Sequence, residues 1–250
     1  METNYYIDDF TEDNYEKLLI LAKQKYDFIT YQDINKNIDN VVIWRHDIDF
    51  SVHRALKMAI IEAEHGIIST YFFYFHSCWY NLLEDEVYKI GKKIIELGHK
   101  IGLHFDPSFY NLNISETDRF IKYINIEKGL LMDLFETDVQ AFSFHNPDTG
   151  GGWMTFEDFN VSGMINTYSK FLKDNFTYCS DSNGYWRYKR LECVLKGNDK
   201  KLHILLHPEW WVPNAMPPRA RIERCIEGRK NKSICIYDNI LREMGRVNVK

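Results

Sequence analysis

The sequence predicts an α/β protein built as a distorted or incomplete (β/α) barrel of about seven parallel strands. Short β-branched, aromatic or apolar runs alternate with segments whose apolar residues recur at helical spacing. Gly66 and Gly98 lie where two of these helices should end. Strictly alternating strands and helices favour parallel strands joined by right-handed crossovers, and 250 residues suffice for one such domain. An open doubly wound sheet is the alternative.

Strands are predicted where short runs are apolar throughout or rich in β-branched and aromatic residues. The run IISTYFFYF, residues 67–75, is too short and too evenly apolar for an amphipathic helix. The predicted strands, in chain order, are 41–44, 67–75, 100–103, 139–144, 176–179 and 202–206.

Helices are predicted where apolar residues recur every three or four positions. Ser51 can cap the helix after the first strand, because the apolar stripe of that helix begins at Val52. Residues 1–40 form a helical addition to the single domain 1–250, with a helix start near residues 13–16. The later predicted helices are 87–97, 115–135 (with Ile121, Ile124, Leu131 and Leu134 inward), 165–172 and 219–250.

Composition excludes several functional classes. The net charge is −5 and the basic residues are spread along the chain, which argues against nucleic-acid binding. No run approaches the ~18 apolar residues of a membrane span, and the acidic start METNYYIDDF lacks the apolar core of a signal peptide. We therefore expect a cytoplasmic protein, and the five cysteines, without CxxC spacing, are expected to be reduced. The sequence has no GxGxxG pattern after the first strand and no GxxxxGK[ST] pattern, so nothing indicates nucleotide binding.

Histidine or aspartate residues lie at the carboxyl end of most of the predicted strands. In a parallel barrel these ends converge on one face, so residues far apart in sequence should meet in one cleft. A single such histidine is usually only a hydrogen-bonded polar residue, but the whole set favours a site for a divalent metal and for acid–base chemistry. The set comprises Arg45, His46, Asp47 and Asp49, then His76, His104, Asp106, His145 and His207.

Six short segments, taken in order, resemble the motifs of one enzyme family. They are RHDID (45–49), STYFF (69–73), GHKIGLH (98–104), HNP (145–147), SDS (180–182) with Trp186, and LLH (205–207). Together they resemble the polysaccharide deacetylase superfamily, the carbohydrate esterase family 4-like hydrolases, and most closely divergent members with an RHDxD first motif. The resemblance runs from about residue 41 to residue 211.

The resemblance implies a distorted barrel, a divalent metal and hydrolysis of an N-acetyl or related acyl group on a sugar. The metal implied is Zn²⁺, with Co²⁺, Mn²⁺ or Ni²⁺ as alternatives. Carried over by position, Asp47 is the general base and His207 the general acid. Asp49 and His104 are metal ligands.

The sequence departs from the family at two positions. Ile48 separates the two aspartates, which still share one face of a strand, so their roles could be exchanged or His46 could take one. Ser108 stands where the family has its second metal histidine. Asp106 and His145 are the candidates to complete the metal site, and we favour His145 because histidine is the usual Zn²⁺ ligand.

Arg45, Trp186 and Trp210 are the predicted substrate-binding residues, and Arg45 could also replace the family's base-orienting arginine. The indoles offer flat faces for sugar rings, or they are simply packing residues. The expected substrate is a small acylated sugar or a nucleotide- or lipid-linked sugar of surface-polysaccharide assembly. The alternative function is a non-catalytic sugar- or partner-binding protein of the same fold, which the missing histidine favours. The sequence does not define an oligomeric state.

Overall fold

The computed structural model describes residues 5–34, 38–186 and 188–249. Nine strands form one sheet. Their bounds are β1 Asp27–Ile29, β2 Val41–Ile48, β3 Thr70–Tyr74, β4 Lys100–Phe105, β5 Val139–Phe144, β6 Asn160–Val161, β7 Met164–Asn166, β8 Thr177–Ser180 and β9 Lys201–Leu206.

The α-helices are α1 Glu12–Lys23, α2 Val52–Glu64, α3 Asp85–Glu96, α4 Thr117–Phe135, α5 Lys170–Asn175, α6 Leu191–Leu195 and α7 Pro218–Glu243. The predicted cap of α2 is confirmed, because Ser51 Oγ accepts a hydrogen bond from the backbone N–H of Arg54. In α4, Ile124 and Leu131 are buried as expected, but Ile121 is 40% exposed.

Seven strands run parallel in the order β7-β5-β4-β3-β2-β9-β8. The short strand β6 lies antiparallel at the β7 edge, and β1 pairs with the first residues of β2. Across the described parts of the chain, β8 and β6 do not pair, so the sheet curls without closing. Strand β1 is also parallel to β2, and the architecture confirms the predicted incomplete (β/α) barrel of about seven parallel strands.

The N-terminal segment packs into the domain. Tyr15 of α1 is fully buried beside Trp44 of β2, and Thr11 forms a β-bridge to Val212, between β9 and α7. The segment also supplies strand β1, which the helical prediction for residues 1–40 did not include. Tyr15 and Trp44 belong to one apolar cluster of the core. Apolar residues of helices α2, α3 and α4 pack in another, larger cluster.

Two predicted elements differ from the structure. Strand β2 continues past Trp44 to Ile48, because its polar half pairs with β3 on one side and β9 on the other. The helix predicted over 165–172 is wrong in its first half, where β7 pairs with β5. Asn166 ends that strand, since its side chain bonds the carbonyl of Phe156 and the N–H of Tyr168.

Candidate metal centre and active site

A cleft of about 1060 Å³ opens at the carboxyl ends of the parallel strands. The side chains that converge there come from the ends of β2, β4, β5 and β9, as parallel-barrel geometry requires. Most of the predicted site residues line this cleft, namely Asp47, Asp49, His104, His145, His207 and Trp210.

Asp49, His104 and His145 form a cluster whose candidate ligand atoms all lie within 4.8 Å of one another. His104 Nε2 lies 3.1 Å from Asp49 Oδ1. Among the described residues, neither Asp49 Oδ1 nor His145 Nδ1 has a hydrogen-bond partner, although both atoms are buried. Buried polar atoms are rarely unsatisfied, so these donors fit a shared divalent cation.

His104 is held by its neighbours on the sheet. Its Nδ1 atom lies 2.6 Å from Ser143 Oγ on β5, which leaves Nε2 to face Asp49. Two residues earlier, Gly102 faces the ring of Phe72, and a Cβ atom there would come within 2.5 Å of that ring. The glycine therefore lets β4 and β3 pair closely enough to bring His104 into the cleft.

Asp106 lies beside His145, on the Nδ1 side of its ring. The Tyr74 hydroxyl donates to Asp106 Oδ2 at 2.7 Å, and the N–H of Ser108 donates to Oδ1 at 2.8 Å. His145 Nδ1 lies 3.6 Å from Asp106 Oδ2, and its ring stacks on Tyr74 with centroids 4.4 Å apart. Burial raises the pKa of Asp106, but His145 beside it and the hydrogen bonds from Ser108 and Tyr74 outweigh this effect and hold that pKa well below its usual range.

Asp47 lies at the base of the cleft with one free oxygen. Its Oδ2 contacts Arg45 Nη2 at 3.4 Å and lies 3.6 Å from His104 Nδ1, whereas Oδ1 has no hydrogen-bond partner in the described chain. Arg45 is fully buried, with its guanidinium 5.3 Å from the centre of the Tyr168 ring. Arg45 therefore neighbours Asp47, and it is not among the residues that line the cleft.

His207 also lines the cleft, where Asp181 holds its imidazole. The two side chains approach at 2.7 Å, and His207 Nε2 lies 4.0 Å from Asp49 Oδ2. Burial alone would lower the pKa of His207, but the Asp181 carboxylate outweighs it and raises that pKa to about 10. The imidazole is therefore protonated at neutral pH.

Three histidines surround Asp49 and affect its ionisation. Burial raises the pKa of Asp49, but the close approach and charge of His104 and the charges of His207 and His145 bring it to about 2. Glu209 lies close to this group and is fully buried, and neither of its carboxyl oxygens has a hydrogen-bond partner among the described residues. Burial, followed by the Asp49 charge, raises the pKa of Glu209 well above its usual range.

The two predicted substrate tryptophans lie in different places. Trp210 lines the cleft and packs against Gly184, whose φ of +77° and lack of a side chain allow the close approach. Trp186 does not line the cleft. Its indole N–H donates to Asp9 at 2.7 Å and its ring stacks on Phe10.

Sequence reasoning did not assign roles to Asp181, Tyr74 or Glu209. Asp181 was visible as part of the SDS segment, and its place directly after a strand was the usable signal. Tyr74 ends β3, one strand away from His104. Glu209 follows His207 by two residues, but its burial depends on packing from α2 and α7.

No protein-family model and no curated protein sequence matches the chain. Among solved structures, the fold is similar to the family 4 carbohydrate esterase domain of a multidomain xylanase from the hindgut metagenome of Trinervitermes trinervoides. That match has 13% identity and a TM-score of 0.45, and it covers 78% of this chain and 85% of the other. The fold is also similar to a family 4 acetyl xylan esterase from Clostridium thermocellum, solved in complex with a cobalt ion. There the identity is 15%, the TM-score is 0.43, and the match covers 75% and 84% of the two chains.

A family 4 pseudoenzyme from Bacillus anthracis also matches, at 14% identity and a TM-score of 0.42. The match covers 79% of this chain but 62% of the pseudoenzyme. All three matches have low sequence identity and are similarities of fold alone. Because the TM-scores are below 0.5, the assignment of chemistry depends on the site itself. Across the described residues, no helix combines the length and the hydropathy that a membrane crossing needs.

Proposed function

We propose that the protein is a metal-dependent hydrolase that removes an N-acyl group, acetyl or similar, from a sugar or sugar conjugate. The observation that carries the proposal is the convergence of Asp49, His104 and His145 between Asp47 and His207. This combines a fitting set of metal donors with a free carboxylate oxygen and a protonated imidazole, which are the groups that amide hydrolysis requires.

Asp49, His104 and His145 would hold the cation, with Zn²⁺ as the first candidate. When bound, it polarises the acyl oxygen and makes a water molecule more acidic. Asp47 is the proposed general base, because its Oδ1 is free to accept a proton from the attacking water. Arg45 is then a positioning residue, which keeps the neighbouring oxygen of Asp47 occupied.

His207 is the proposed general acid. A carboxylate can only accept, so the 2.7 Å contact with Asp181 requires that Nδ1 carry a proton. Nε2 then faces the cleft as the second N–H of the imidazolium. As the carbon–nitrogen bond breaks, Nε2 gives its proton to the departing sugar nitrogen, a step typically worth about 10²–10⁴-fold in rate.

The aromatic rim of the cleft supports a sugar substrate. Phe50, Trp79 and Trp210 line it, and the ring centroids of Phe50 and Trp79 are 4.7 Å apart. Flat apolar rings beside polar catalytic groups suit the faces of a pyranose ring. The cytoplasmic location and the place in surface-polysaccharide assembly stay predictions from the sequence.

The experiment is an assay of acyl release from N-acetyl and N-formyl sugars, with protein loaded separately with Zn²⁺, Co²⁺ or Mn²⁺. We expect release that chelation abolishes and that Asp47→Asn reduces by at least about 10²-fold. A metal-loaded wild type that binds these sugars without releasing acyl groups would overturn the hydrolase and favour the non-catalytic sugar-binding protein.

A further inference from the structure

A second cavity of about 470 Å³ lies beside the catalytic cleft, between the first turn of α2 and one face of α7. It is separate from the metal cluster, since none of the three proposed ligands lines it. Its lining is rich in cations, which are Arg54, Arg224, Arg229 and Lys232, against the single carboxylate of Glu86.

The charges of these cations are not all neutralised. Arg229 pairs with Glu84, and Lys232 lies 3.2 Å from Glu86. Arg224 is exposed and, in the ranges that the structure describes, forms no ion pair. One guanidinium therefore faces the cavity with its charge available to an anionic ligand.

The start of α2 adds to the positive potential of the cavity, whereas the charge of Arg54 is paired with Glu12. Arg54 is 8% exposed and is fixed by a 2.7 Å bond from Nε to the carbonyl of Trp211, although its Nη2 also contacts Glu12. The first N–H groups of a helix lack intrahelical acceptors, and the helix dipole is positive at this end. The cavity is lined by the first two residues of the 13-residue helix α2, Val52 and His53, and by its cap Ser51. Such a combination of arginine and helix N-terminus suits phosphate groups.

The cavity adjoins the catalytic cleft, because Phe50 and Trp79 line both of them. A sugar that lies on these rings with its acyl group at the proposed metal site would place a neighbouring group beside the basic cavity.

We propose that this cavity is an anion subsite that binds the phosphate or diphosphate of a phosphorylated sugar conjugate. The connection to an acylated sugar depends on the proposed function, whereas anion binding by the cavity does not. The diphosphate of a nucleotide-linked sugar and that of a lipid-linked sugar share this chemistry.

The test is calorimetric titration of inorganic pyrophosphate into the His104→Ala variant in the presence of a chelator, so that no metal can hold the anion. We expect one site per chain whose binding weakens at least tenfold in Arg224→Glu. Arg242→Glu, an exposed charge reversal near the far end of α7, is the matched control and should bind as the parent does. Both positions are exposed, and thermal melting checks that each variant is folded.

Absence of pyrophosphate binding, or an equal loss in both arginine variants, would overturn the subsite. Competition then identifies which conjugate supplies the diphosphate. We expect that either a nucleoside-diphosphate N-acetyl sugar or a polyprenyl-diphosphate N-acetyl sugar displaces pyrophosphate, and the one that does so is the ligand. Failure of both to compete would overturn the connection to the sugar conjugate. Pyrophosphate binding without acyl release from any sugar would support the anion subsite and contradict the proposed hydrolase. Acyl release without pyrophosphate binding would support the hydrolase and contradict the subsite.

Discussion

Nδ1 of His207 lies 2.7 Å from Oδ1 of Asp181, and the same carboxylate receives two further donors. The backbone N–H of His207 bonds Oδ1 at 3.0 Å, and the indole N–H of Trp211 bonds Oδ2 at 2.9 Å. Asp181 is fully buried, and these bonds fix the orientation of its carboxylate. The arrangement holds the proposed general acid in one orientation and in its protonated form.

Asp181→Asn should therefore lower kcat by about 10²–10⁴-fold, because an amide no longer favours the protonated imidazole. Bound metal should stay at the wild-type level, since Asp181 is outside the proposed ligand set. The assay is acyl release beside elemental analysis, with the exposed Asp174→Asn as control. Wild-type kcat in Asp181→Asn would contradict the role of the pair.

Arg45→Met should destabilise the protein by about 3–5 kcal/mol, because it leaves Asp47 buried without its cation. In the double variant with Asp47→Asn, the loss should be smaller than the sum of the two single losses. Urea unfolding of the four proteins measures this coupling. Simple additivity would mean that Arg45 does not hold Asp47.

Asp106→Asn should weaken metal binding by about 10–100-fold, since the site loses the carboxylate charge beside His145. Ser108→Ala removes one hydroxyl bond to Asp106 but keeps the backbone bond, so its effect should be smaller. Competition with a chromophoric chelator measures both affinities, and Asp138→Asn is the exposed control. Unchanged affinity in Asp106→Asn would remove Asp106 from the support of the metal site.

Glu62→Gln tests a buried carboxylate of helix α2 that contacts His46 of β2. Glu62 accepts from the Tyr71 hydroxyl at 2.7 Å and lies 2.6 Å from His46 Nε2. Burial raises the pKa of Glu62, but the charges of His46 and His99 outweigh it, so its folded pKa is lowered. A lowered pKa contributes stability that is present above the unfolded value of about 4.3 and is lost as pH falls through the folded value.

At pH 7 we expect Glu62→Gln to lose about 1–3 kcal/mol of unfolding free energy, because one buried oxygen that accepts hydrogen bonds is replaced by an NH₂ donor. The difference from wild type should shrink as the pH falls below about 4. Urea unfolding across pH is the measurement, and Glu64→Gln, exposed on the same helix, is the matched control. A difference independent of pH would show that the charge of Glu62 is not what stabilises the fold.

The barrel and the convergence of His104, His145 and Asp49 could be predicted, because strand ends are visible as apolar runs that stop at polar residues. The length of β2 could not, since pairing with β3 and β9, and not local propensity, keeps Arg45 and His46 in the sheet. Residues 165–172 show the same limit, where pairing with β5 overrides helical spacing. The placement of Trp186 against Asp9 joins residues 177 positions apart, and no local pattern reports such a contact.

The most direct test of the central claim is the metal content of untagged protein, compared between wild type and His145→Ala. If Asp49, His104 and His145 hold one cation, elemental analysis should find about one divalent ion per chain in wild type and almost none in the variant. His65→Ala, which changes a histidine paired with Glu16 on the surface, should keep the ion. Wild type without metal after dialysis against Zn²⁺, Co²⁺ and Mn²⁺, or equal metal in wild type and His145→Ala, would contradict the proposed metal site.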